Sequence, residues 1–510
     1  MTRRDRALEL LRQHSELAGV AAFPFDFDLD RADHGEAVRL ASGTALKVVA
    51  GDDTGGSYFV CSNGEVLYAS SEGEAGLVGD SVDEALEVLI GLPGWRDYTD
   101  LDLQADIAEL EAAVARTEES IRGSYASQLD LDRSRLLAGL GLRQLPQLEL
   151  IRRLHRSLLR TEPDFILLNA DEGCAYALLD RLPRRPLWKT ALAPGRADLV
   201  MLRSDRTRWA EVADDPARRA TLLRAAQYDR QTTDLPFLRE VLRAEAQLGH
   251  TEELRLAAVL VGLHGHAQDY ELIQSLRMAN SDVYYGLGGF PEAAQDLSAW
   301  ATAFDVSNHG QDPAEEDELA WAELARRQGR TELSRSILLR LLDEAGQRDA
   351  PLLGHLAGQF TRLGDFIQAA RARKLHASLQ DDPQQRGASM LSLATLQRRA
   401  GDVEAAWKSL QRAVAELDGP PPTPPTDQLA LDLNLHEQER HTVAWRGLQL
   451  GHRAAEEHFL VARAAAAATG LSATARAALA AGIAVLGTLM RPTDDLRGLA
   501  NAVTEELEGR

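Results

Sequence analysis

The chain has 510 residues, 45% of them apolar and 26% charged, so it is too apolar for global disorder and long enough for about two to four domains. Its 78 Asp and Glu against 56 Lys and Arg give a net charge of −22, a surface that repels phosphate backbones and disfavours general nucleic-acid binding. Only two cysteines occur, Cys61 and Cys174, far apart in sequence; they offer no disulfide framework and no paired-cysteine metal motif, as expected in a reducing cytoplasm.

The first residues, MTRRDRALELLRQHSEL, lack an apolar run and read as an amphipathic helix rather than a signal peptide. Phe23, Phe25 and Phe27 alternate with Pro24, Asp26 and Asp28, which predicts a strand. Val48–Ala50 is a second short strand. Tyr58–Cys61 and Glu65–Ser70 form a hairpin across Ser62-Asn63-Gly64, where Asn and Gly accept positive φ. Ser81, with Glu84 three residues on, opens a helix that ends at Gly91-Leu92-Pro93-Gly94. Residues 1–100 are therefore expected to form a small α+β domain.

The stretch GDDTGGSYFVCSNGEVLYASSEGEAG, the amphipathic helix after it and the aromatic Trp95 together resemble the SUKH superfamily of Smi1/Knr4-like domains. That resemblance implies a protein-binding module, including toxin-neutralising immunity proteins in bacteria, and carries over no catalytic residue. Four carboxylates, Asp52, Asp53, Glu72 and Glu74, fall in two loops of this region. If the loops meet, two of them have the chemistry for acid–base work or Ca²⁺ binding. Neither a calcium-loop spacing nor a defined nucleophile accompanies them. Solvated loop acids, or an acidic face that steers a basic partner, are the other readings, and the last matches the resemblance.

Residues 101–160 are charged and helical in period, with a break at Pro146. Residues 164–198 mix the apolar run FILLN with turn-rich sequence, and ADLVMLR at Ala197–Arg203 is compatible with one strand; residues 101–213 read as a mixed middle region. From 214 to 312 helix follows helix. Phe237–Leu248 pairs with Glu252–Leu263 across Gly249, and Asp269–Ala279 pairs with Pro291–Phe304. His264 and His266 with Asp269 lack a fourth metal ligand, so a helix-ending turn is the reading there. His436 and His441 are five positions apart and miss the i, i+4 spacing that puts two ligands on one helical face. No metal and no cofactor is expected.

The segment ASMLSLATLQRRAGDVEAAWKSLQRAVAEL is an amphipathic run, a Gly-Asp break and a second amphipathic run. Gly329, Gly364 and Gly401 align three such units, 35 and 37 residues apart. Ser334, Ala369 and Ala406 supply small residues to the second helix; Trp321, Leu356 and Leu393 supply the main apolar position of the first, with Gly354, Ala357 and Ala394 near the crossing. These residues resemble tetratricopeptide repeats, whose unit is about 34 residues. His441–Gly451 and Arg453–Ala468 give a fourth, looser pair; the tract GPPPTPPTDQ before it reads as a stiff linker, and residues 472–506 as capping helices.

Each unit ends its first helix with arginine: Arg326 and Arg327, Arg362, Arg398 and Arg399. In the arrays that the units resemble, first helices line the concave groove. These guanidiniums are then expected to face one groove and take an acidic peptide segment or the C-terminal carboxylate of another polypeptide bidentately. Favourable interaction of arginine with a helix C-terminus is the plainer explanation of the same positions. The whole reads as a multidomain protein: a small α+β domain, a mostly helical segment, and an α-solenoid array over residues 313–510. The expected function is a cytoplasmic protein–protein adaptor linked to toxin immunity or regulation, with protein or acidic peptide as partner and no membrane. The alternatives are an enzyme or small-ligand sensor with its site in residues 1–100 or 160–210, and a regulator with a repeat sensor.

Overall fold

A computed structural model describes residues 6–103, 106–124, 126–249, 251–308, 312–418, 437–489 and 491–509. The chain divides into two units: residues 1–171 with 175–337, and residues 172–174 with 338–510.

The first unit opens with helices α1 (Arg6–Gln13) and α2 (Ser15–Ala22) and strands β1 (Val38–Leu40), β2 (Leu46–Gly51), β3 (Ser57–Cys61), β4 (Val66–Ala69) and β5 (Glu74–Gly79). Helices α3 (Val82–Gly91), α4 (Ile107–Ser124), α5 (Leu129–Leu140), α6 (Gln147–Leu158) and α7 (Thr161–Asp164) follow, then β6 (Leu167–Asn169) and β7 (Ala177–Leu178). The main sheet has the order β2-β3-β4-β5-β7, antiparallel except for β5 against β7, and β1 pairs separately with β6.

The sheet is buried on both faces, and period-two alternation sorts its side chains. Tyr58, Val66 and Tyr68 point into a core with α1, α3, α5 and α6, while Phe59, Cys61, Leu67 and Leu77 pack with Leu40, Phe165 and Leu167 on the other side. The first core also takes in Val114, Leu136 and Leu154, so it runs across residue 100.

The predicted β3–β4 hairpin forms with Tyr58 opposite Tyr68, and Ser81 accepts from the Glu84 N–H at 3.2 Å to open α3. The strand expected at 23–27 does not form: α2 runs to Ala22 and Phe23-Pro24 is a cis peptide. Only Asp28 bridges to Gly51, and Phe25 and Phe27 are buried because both point inward from an irregular turn. No local pattern announces β1, β5, β6 and β7 as strands; their sequences are short or glycine-punctuated, and long-range pairing defines them.

Helices then continue as α8 (Leu187–Ser204), α9 (Trp209–Ala213), α10 (Pro216–Tyr228), α11 (Leu235–Ala246), α12 (Glu252–Gly262), α13 (Ala267–Ala279), α14 (Ser281–Gly286), α15 (Leu297–Asn308), α16 (Glu318–Arg327) and α17 (Thr331–Glu344). Ala197–Arg203 belongs to α8 and not to a strand: Leu199 and Leu202 are buried three residues apart, a helical spacing. Within this bundle Arg219 and Glu245 form a buried ion pair at 2.6 Å, and Glu245 also accepts from Thr251 at 3.0 Å.

The second unit contains α18 (Ala350–Arg362), α19 (Phe366–Ser378), α20 (Pro383–Arg399), α21 (Val403–Leu417), α22 (Glu437–Ala467), α23 (Ser472–Thr488) and α24 (Asp494–Glu508). α18 packs on α19, α19 on α20, α20 on α21, and α22 on α21, α23 and α24. Ala369, Ala394 and Ala406 have no exposure, which lets neighbouring helices approach closely. The fourth pair expected at 441–468 is a single helix, α22, without a break at His452. The proline-rich stretch at 419–428 and His436 lie outside the described residues. Among the described residues no helix is long and apolar enough to cross a membrane.

Candidate functional site

The aligned glycines make one turn three times. Gly329, Gly364 and Gly401 have φ of 73°, 75° and 89°, and an added Cβ would meet nothing within 4 Å at any of them, so backbone conformation and not space requires glycine. Gly329, Gly364 and Gly401 donate to Arg326, Thr361 and Arg398 carbonyls; the next residues donate to Ala325, Phe360 and Gln397 at 3.0, 2.9 and 2.9 Å. Asp365 and Asp402 then cap the following helices by accepting from Gln368 and Ala405 N–H groups. At the first turn Arg330 replaces the aspartate and reaches the Thr190 carbonyl at 2.8 Å instead.

The arginines ahead of these glycines are mostly engaged by the protein itself. Arg326 and Arg327, in the first unit, both bond Glu323, and Arg327 also bonds Glu253. Burial alone would raise the Glu323 carboxyl; hydrogen bonds from Arg326 and Arg327 outweigh it and hold the group below its ordinary value. In the second unit Arg398 forms an ion pair with Glu457 at 2.6 Å, and Arg399 lies 4.0 Å from the Phe366 ring centroid. Arg362 closes the last turn of α18.

In the N-terminal domain the two acidic loops do meet, through Ser71 Oγ donating to the Thr54 carbonyl at 3.0 Å. Asp53, Glu72 and Glu74 are exposed there. Asp52 is not, and its assignment to a partner-binding face is corrected: it is 2% exposed and its two oxygens are filled. Oδ1 accepts from Thr54 N, Thr54 Oγ1 and Gly56 N at 2.9, 2.9 and 2.8 Å; Oδ2 accepts from Tyr68 and Arg96 at 2.7 and 3.2 Å. Burial would raise this carboxyl, but the bonds from Tyr68, Thr54 and Gly56 and the Arg96 charge hold it low. Glycine at 56 permits the approach, since a Cβ would stand 2.2 Å from the Tyr68 hydroxyl. No oxygen of Asp52 is left for a ligand. Among the described residues no group of three or more His, Cys, Asp or Glu is placed to hold a metal ion.

Two features of this domain have no signal in the sequence. Asp26, half-buried, takes φ 55°, the one positive-φ residue other than glycine among the described residues. Burial, then the Asp53 charge, push its carboxyl up to about 6. His34 joins Ser57 Oγ at 3.1 Å and the Tyr176 hydroxyl at 3.2 Å, and Tyr176 donates to Glu36 at 2.8 Å. Ser57 has no exposure and donates to the Asp33 carbonyl, so this series of bonds straps residues 33–36 to the sheet and presents no nucleophile to solvent. Its members come from distant positions, and no local spacing announces them.

A charged cleft of about 270 Å³ opens between α10, α12 and α16. Arg224 spans its rim, 5.1 Å from the Trp321 ring centroid, bonded to Glu316 and to Gln227. Tyr228 also donates to Glu316, at 2.7 Å; burial and that bond push its hydroxyl above the ordinary value. Elsewhere in the first unit, Tyr284 and Tyr285 are 46% and 77% exposed, edge to face at 5.6 Å, with Arg277 stacked on Tyr284 and Met278 70% exposed beside it. Exposed tyrosine and methionine beside a half-buried arginine are the composition of protein-binding patches. Compared with known proteins, the sequence matches no family model and no curated protein.

Proposed function

We propose that the protein is a protein–protein interaction adaptor, with a SUKH-like N-terminal domain, helical repeats of tetratricopeptide character forming an α-solenoid, and a protein or acidic peptide segment as partner. Its role would be toxin immunity or regulation in the cytoplasm. The observation that carries this reading is the turn repeated at Gly329, Gly364 and Gly401 with the same two backbone bonds. Helix hairpins built to one pattern cannot each bury all of their apolar surface, and stacking them leaves an extended face for another polypeptide. The exposed Met278, Tyr284 and Tyr285, with half-buried Arg277 stacked on Tyr284, support it. Arg326, Arg327 and Arg398 reach an acidic peptide only by exchanging Glu323, Glu253 or Glu457 for the ligand's carboxylates, which favours selectivity over raw affinity.

The test is affinity purification of the full-length protein, identification of the recovered partner, and titration of that purified partner. Replacing Arg327, Arg362 and Arg399 together with glutamate, or Tyr284 and Tyr285 with serine, is expected to weaken binding about tenfold or more. A specific partner bound equally well by both variants, or none recovered, removes the reading.

A further inference from the structure

The floor of the cleft between α10, α12 and α16 is apolar, formed by Ala220, Leu256, Ala320 and Leu324. Its walls carry three arginines and four glutamates. Most of these answer one another: Glu316 takes Arg224, while Glu253 and Glu323 take Arg327. Two do not. Arg255 gives its Nε to the Gly286 carbonyl at 3.1 Å, and its guanidinium carbon stands 5.4 Å from the Phe304 ring centroid. Among the described residues no carboxylate pairs with it. Glu252, exposed at the start of α12, likewise has no ion-pair partner among the described residues.

Glu252 and Arg255 stand three apart on one helix, a spacing at which opposite charges ordinarily pair. The Gly286 carbonyl and the Phe304 ring hold the arginine away. They fix its Nε edge and leave both Nη atoms, the fork that receives a carboxylate bidentately, without a partner among the described residues.

Charge selects the ligand class. A simple anion would answer Arg255 but would meet walls holding one more carboxylate than guanidinium. A simple cation would leave Arg255 without a counter-charge. A small molecule carrying both signs answers both groups, and about 270 Å³ lies just below the volume usual for drug-sized ligands. We propose that this cleft binds a zwitterion of the α-amino acid class, its carboxylate on the Arg255 Nη atoms and its ammonium on Glu252. The proposal is independent of the adaptor reading.

Calorimetric titration of the full-length protein with each of the free L-amino acids tests it, followed by the N-acetyl and C-amide forms of whichever binds best. Saturable binding of at least one amino acid is expected, lost when either end is blocked. Arg255→Lys keeps the charge but removes the fork, and is expected to weaken binding about tenfold. Glu252→Gln, at an exposed position, is expected to leave the melting temperature unchanged and weaken binding by about the same factor. Should Arg255→Lys perturb folding, Glu252→Gln decides. Absence of binding by every free amino acid overturns the proposal. So does binding that survives both blocked forms, or that Glu252→Gln leaves intact.

Discussion

Asp52 and Arg255 are charged groups held in place by neighbours, yet they end in opposite states. Asp52 sits buried in the loop after β2 with five donors on two oxygens, and each donor is fixed by its own element: Thr54 and Gly56 by the loop, Tyr68 by β4, Arg96 by the turn after α3. Arg255 is fixed through one nitrogen and one ring face, and it lines a cleft with no carboxylate paired to it among the described residues. A buried charge with every lone pair filled is part of the scaffold, because any ligand would have to displace bonds the fold depends on. A charge that is anchored but incompletely answered, beside open volume, is where a ligand gains without that cost.

That contrast fixes the order of expected effects. Asp52→Ala strips the acceptor from Tyr68, Arg96 and the Gly56 N–H at once and is expected to cost about 3 kcal/mol in urea unfolding. A cost below about 1 kcal/mol would show that water replaces the carboxylate and that the node is not scaffold. Gly401→Ala forces a side chain into φ 89° and is expected to cost about 1 kcal/mol, although nothing crowds the site.

Asp26 has the opposite sign. Its carboxyl rises to about 6 in the folded protein, above the unfolded value near 3.9. The folded state therefore holds a proton that the unfolded state has released, and this group's contribution falls as pH rises from about 4 to about 6. Asp26→Asn removes the charge, keeps a residue that tolerates positive φ, and is expected to stabilise the protein by about 1 kcal/mol at pH 7, discounted for partial exposure, with little effect at pH 4. Thermal scans at the two pH values check it. The smallest expected effect is at the surface: Tyr285→Ser, at 77% exposure, is expected to change stability by less than about 0.5 kcal/mol. It separates binding from folding in the adaptor test.

Legibility followed the range of the interaction. The β3–β4 hairpin, the Ser81 cap, the break at Pro146 and the three glycine turns were readable, because each is written within a few residues. Phe23–Phe27 misled because two aromatics buried from an irregular turn imitate strand alternation, and Ala197–Arg203 because a buried helix segment and a short strand are alike in apolar content. The positions of the arginines at their helix ends are legible in the sequence; their occupation by Glu323, Glu253 and Glu457 is not, since the last two partners lie far along the sequence.

Sequence alone determined the turns at Gly329, Gly364 and Gly401, the helix pairs around them and that small residues stand at their crossings, because φ preference, capping and periodicity are settled by near neighbours. Only the tertiary structure decided which charges cancel. It filled Asp52 and left Arg255 open, because Coulomb attraction and hydrogen bonding act on distances in space, and those depend on how distant elements pack.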